Sequence, residues 1–77
     1  MKIESLTKND NYTTVTFTDG FHVYGVLITK VTNTVEFMKW GLTDDEPTII
    51  SEDSYPEQFI ELKDKYLPRL LDYIEKH

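Results

Sequence analysis

Residues 12–29 read YTTVTFTDGFHVYGVLIT, and the reading of this stretch decides the fold. Two runs rich in Thr, Val, Tyr, Phe and Ile flank Asp19-Gly20, and that composition suits a pleated, half-buried strand. Asp-Gly between two such runs is the strongest short-range hairpin signal, because a two-residue type I′ turn needs φ > 0 at both central positions. The register expected from that turn sets Thr18 opposite Phe21, Phe17 opposite His22, Val15 opposite Tyr24 and Thr13 opposite Val26. Opposed residues share a sheet face. One face then carries Val15, Phe17, His22, Tyr24, Val26 and Ile28. The other carries Thr14, Thr16, Thr18, Phe21, Val23, Gly25 and Leu27. The strand expected over residues 21–29 is apolar on both faces, as in a central strand covered on both sides or one meeting a second subunit.

Working outward, residues 2–7 form an expected first strand, and Lys8-Asn9-Asp10-Asn11 a turn whose side chains tolerate left-handed backbone. On the other side, residues 30–33 turn the chain into a strand over residues 34–40. Val35 and Phe37 fall on one face of that strand, Glu36, Met38 and Trp40 on the other. Residues 41–47 make an acidic loop, and residues 48–51 a short final strand with Pro47 at its tolerated start. Ser54-Tyr55-Pro56-Glu57 has the pattern of a capping box, with Ser54 as N-cap and a proline in the first turn. Apolar residues then recur in two rows: Phe59, Leu62, Tyr66, Leu70 and Tyr73, and Ile60, Leu67, Leu71 and Ile74. Pro68 interrupts them, at a cost of about 3 kcal/mol in a straight helix. The expected fold is α+β: an antiparallel sheet of four to five strands, a β-meander, with a C-terminal helix, kinked or split near Pro68, packed on one face. The chain reads as a single domain, residues 1–77, with the sheet in 1–51 and the helical segment in 54–77.

The 77 residues include no cysteine, so disulfides and thiolate metal sites are excluded. A domain this small has a thin core and must gain stability from packing or from a partner subunit. His22 and His77 are too few and too distant for a zinc site, and His22 reads as structural. Ser5, Ser51 and Ser54 lack a base nearby in sequence. The three glycines are isolated, so no phosphate cradle is present. No catalytic, cofactor-binding or metal-binding residue is expected, and the chain is not expected to be an enzyme. Its opening residues lack an apolar run, and no segment approaches the ~20 apolar residues of a membrane span; a cytoplasmic location is expected.

Charge is unevenly placed. Seven of the fourteen acids, Asp44, Asp45, Glu46, Glu52, Asp53, Glu57 and Glu61, fall between Lys39 and Lys63 with no cation among them. Asp44, Asp45, Glu46, Glu52 and Asp53 are the candidate surface for a protein partner with a basic face. Phe21, Val23, Leu27 and Trp40 are the candidate interface of a homo-oligomer, a dimer, because one helix cannot cover both apolar faces of the central strand.

Several strands followed by a helix resemble the single-stranded DNA-binding fold of the PC4-like transcriptional coactivators, through Trp40, Ile49-Ile50-Ser51 and the helix start at residues 57–62. That resemblance spans about half the chain and implies a nucleic-acid-binding sheet served by Lys2, Lys8, Lys30 and Lys39. The net charge of −6 opposes such binding. The leading expectation is therefore a non-enzymatic interaction protein that binds another macromolecule. Its small, acidic, Asn/Thr/Lys-flavoured chain is in the style of phage or mobile-element inhibitors of a host factor.

Overall fold

The structure is a computed structural model that describes residues 1–41 and 46–77. Five strands, β1 (Lys2–Lys8), β2 (Tyr12–Thr18), β3 (Val23–Thr29), β4 (Thr34–Trp40) and β5 (Thr48–Ile50), precede one helix, α1 (Pro56–Lys76). The strands lie in chain order in one sheet, β1-β2-β3-β4-β5, and every neighbouring pair is antiparallel. This is the α+β meander with a C-terminal helix that the sequence implied.

The central hairpin keeps the expected faces but not the expected register. Thr18 pairs with Val23, Phe17 with Tyr24, Val15 with Val26 and Thr13 with Ile28. The loop therefore holds Asp19, Gly20, Phe21 and His22 rather than Asp19-Gly20 alone. Positive φ is confined here to Gly20, at 98°, so the turn is not type I′. The Asp19 side chain explains the longer loop: its Oδ1 accepts from the backbone N–H of Phe21 and of His22, both at 2.8 Å. The Thr18 hydroxyl donates to the His22 carbonyl at 2.7 Å. A carboxylate that satisfies two loop amides stabilises four residues where the backbone alone favours two. The register slips by two residues, and a two-residue slip leaves each side chain on its original face.

The β1–β2 loop repeats the device. Asn9 Oδ1 accepts from the N–H groups of Asn11 and Tyr12, both at 2.9 Å. In each loop the N–H of the Asx residue donates to the carbonyl three residues on, Asn9 to Tyr12 at 3.0 Å and Asp19 to His22 at 3.4 Å. Between β3 and β4, Asn33 takes the left-handed conformation, with φ 54°, which Asn adopts more readily than most residues. Glu4 is left out of the β1–β2 pairing by a bulge between Ile3 and Ser5.

The helix corrects one expectation and narrows another. Ser54 is not the N-cap: its N–H donates to Ser51 Oγ at 3.1 Å, closing a turn ahead of the helix. Tyr55 takes the N-cap position without a side-chain cap bond, and Pro56 opens the helix. Nor is the helix split, since α1 continues through Pro68. Both Pro68 and Asp64 are exposed, so water can satisfy the Asp64 carbonyl that loses its partner.

The core lies between the helix and one sheet face. Val15, Phe17, Val26, Phe37, Ile50 and Leu70 are almost wholly buried. The Tyr66 ring packs 5.0 Å from Phe17 and 6.0 Å from Tyr24, and Phe59 packs edge-on to Phe37 at 5.9 Å. Each such large apolar side chain contributes about 1.5–3 kcal/mol by leaving water. Lys8 Nζ donates to the Ile74 carbonyl at 2.7 Å, tying the last helical turn to β1.

Candidate functional site

The helix covers one face of the sheet, and the opposite face has no element over it among the described residues. Register places its side chains in rows across the strands. Lys2, Thr18, Val23 and Trp40 form the first row, Ser5, Thr16, Gly25, Met38 and Ile49 the second, and Thr7, Thr14, Leu27 and Glu36 the third. Tyr12, Thr29 and Thr34 complete the far end. The β1–β2 half is mostly threonine and the β3–β5 half apolar. Val23 is 37% exposed and Ile49 42%, while Leu27, Met38 and Trp40 are half-buried.

Gly25 shapes this face. A Cβ there would lie 3.0 Å from Met38 Cε and 3.3 Å from Trp40 Cζ3. The indole and the thioether therefore lie over the bare backbone of β3 and fill the hollow that a side chain would occupy. The result is a low, continuous apolar surface.

Charge is sparse on this face. Of the residues with a register position there, Lys2 and Glu36 alone are charged, at opposite corners. The other early lysines are elsewhere. Lys8 and Lys39 sit on the helix-side face, opposite Thr13 and Tyr24. Lys30, in the β3–β4 turn, donates to the Asn9 carbonyl at 2.7 Å. The cations named in the nucleic-acid reading are thus not gathered on one face.

The four residues expected at an oligomer interface fall at this surface with one qualification. Val23 and Trp40 are direct cross-strand partners and Leu27 shares their face. Phe21 is not in a strand but stands at the tip of the β2–β3 loop, 77% exposed, just beyond Val23. Met38 and Ile49 belong to the same patch and were not singled out. The alternation Glu36, Met38, Trp40 already placed Met38 with Trp40, whereas Ile49 needed the β4–β5 register.

Of the expected acidic surface, Asp44 and Asp45 lie outside the described residues. Glu46, Glu52 and Asp53 are exposed. Glu52 and Asp53 line a cleft of about 280 Å³ with Glu36, Phe59 and Lys63, beside the half of β4 that β5 does not pair.

No group of three or more His, Asp or Glu side chains among the described residues is placed to hold a metal ion. The two perturbed acids both have structural causes. Hydrogen bonds from the His22 and Phe21 amides hold the Asp19 carboxyl below its ordinary value. Burial, followed by the neighbouring Asp19 charge, pushes the Tyr24 phenol up to about 12. Each group keeps one protonation state across neutral pH and serves the loop or the core. No helix among the described residues is long and apolar enough to cross a membrane.

Comparison with known proteins finds no matching family model, no matching curated protein and no matching solved structure.

Proposed function

We propose that the chain is a non-enzymatic interaction protein that binds another macromolecule through the uncovered sheet face. The observation that carries this reading is the contiguous patch of Val23, Leu27, Met38, Trp40 and Ile49, left open because the one helix of the described residues covers the other face. Large apolar patches are uncommon on soluble monomers and mark contact surfaces, and aromatic residues and Met are enriched in such surfaces. The partner is protein rather than nucleic acid, because Lys2 is the one cation among the described residues with a register position on the face and nucleic-acid affinity comes chiefly from cations meeting phosphates. Self-association is the first use of the patch. The exposed acids Glu52 and Asp53, beside the cleft at one end of β5, offer a second surface suited to a basic protein, as an inhibitor of a host factor would need; Glu46 is exposed at the other end of β5.

The test is differential capture. The tagged wild type, Leu27→Glu and Glu57→Lys are compared for proteins, the untagged chain included, retained from a lysate of cells that also express the chain untagged. The proposal requires a retained protein that survives Glu57→Lys, on the helix, and is lost with Leu27→Glu, which puts a charge in the patch. Capture indifferent to Leu27→Glu contradicts it. So does sub-micromolar binding of labelled single-stranded DNA that weakens steeply as salt rises, which would restore the nucleic-acid reading.

A further inference from the structure

The two charged residues of the open face also define how a second copy fits on it. Lys2 stands at the β1 end of the first row and Glu36 at the β4 end of the third. With strands about 4.8 Å apart and same-face residues about 6.7 Å apart along a strand, this diagonal runs near 45° to the strands and spans roughly 20 Å. Its midpoint falls between Thr16 and Gly25, the low centre of the face.

Resting on the reading of this face as a contact surface, we infer that its occupant is a second copy of the chain, related by a two-fold axis that crosses this diagonal at its midpoint. The axis sets Lys2 of each copy against Glu36 of the partner subunit, so the two charged residues with a register position on the face are paired twice. In the same flat projection Trp40 falls on the axis and meets the partner's Trp40, while Val23 meets the partner's Met38. The strands of the two sheets then cross at roughly 90°, one of the two established ways for sheets to pack.

Charge favours this occupant, and the area available makes the association a weak one. The face measures roughly 20 by 20 Å, so two copies bury roughly 800 Å² in total, the size of a weak, concentration-dependent interface. Each chain carries a net charge of −6, and like charges repel. A face whose register positions carry one charge of each sign is the part of such a surface that tolerates a second copy. The acids of the β5–α1 region remain at the rim, available to another partner.

The experiment measures the dimer dissociation constant by sedimentation for the wild type, Lys2→Glu, Glu36→Lys and the double variant. Lys2 and Glu36 are exposed, and thermal melts confirm that each variant folds. Each single reversal is expected to weaken the dimer about fivefold to tenfold, and the double variant to restore it. The sign for Glu36→Lys is decisive. By net charge alone it makes the chain less acidic and would strengthen association, whereas loss of the pair weakens it. A dimer that ignores both reversals, or that Glu36→Lys tightens, overturns the proposed arrangement. A wild type that stays monomeric at 100 µM overturns the second copy as occupant, while capture of another protein that is lost with Leu27→Glu would leave the function proposed above standing.

Discussion

At the scale of single residues, Asp19 and Gly20 control the central hairpin by different means. Gly20 has φ 98° with open space where a Cβ would go, so a side chain there meets no clash and pays only for backbone strain. For a β-branched residue at positive φ that strain is about 1–3 kcal/mol. Gly20→Val is expected to lower the denaturation midpoint accordingly, as read by urea unfolding followed at Trp40. Asp19 acts through charge. Its carboxyl is held below the ordinary carboxylate value by the amides of His22 and Phe21. A depressed native-state value means that the contribution is present above the unfolded-state pKa and is lost as pH falls through the native one. Stability is therefore expected to decline below about pH 4, and the decline should be shallower in Asp19→Asn, which keeps an acceptor oxygen but does not titrate. An identical acid profile in the two proteins would show that the loop amides do not favour the charged form. The sequence made Asp19 visible as a turn residue. It did not reveal the length of the loop, because that depends on two side-chain-to-backbone bonds that composition cannot rank against a two-residue turn.

At the scale of elements, the strands were legible because their signal is redundant. β2 and β4 carry period-two patterns ending in turn residues, and both run over the residues the sequence implied. The slip in the β2–β3 register cost nothing in face assignment, since it moved pairs by two. The helix start was misread for a local reason: Ser51 supplies both the carbonyl that accepts from the Tyr55 N–H and the hydroxyl that accepts from the Ser54 N–H. These bonds consume the turn that Ser54 would otherwise cap. Pro68 was expected to kink or split the helix; α1 is not split, and the proline faces solvent while Leu67 and Leu70 on the other side are buried. One backbone bond is still missing. Pro68→Ala is expected to restore it and raise stability by about 1–3 kcal/mol, measured as a higher thermal midpoint with unchanged ellipticity per residue elsewhere in the melt. A lower midpoint would mean that the proline shapes the helix to the sheet.

At the scale of the whole molecule, the arrangement follows from having one helix among the described residues and a sheet with two apolar sides. Tyr24, Val26, Phe37 and Ile50 go beneath the helix; Val23, Leu27, Met38, Trp40 and Ile49 remain outside. The sequence showed the surplus of apolar surface and three of the five residues at its centre, but not the part played by Gly25, whose missing side chain lets Trp40 and Met38 lie down on β3. Trp40 is the chain's single tryptophan, so its emission reports on this face without labelling. The most direct measurement records mass by light scattering together with Trp40 emission from 1 to 100 µM protein. The account predicts a rise from 9.1 kDa toward twice that mass, with a blue shift of the emission over the same concentration range as the indole leaves water. A mass that stays at 9.1 kDa with emission unchanged throughout would contradict it.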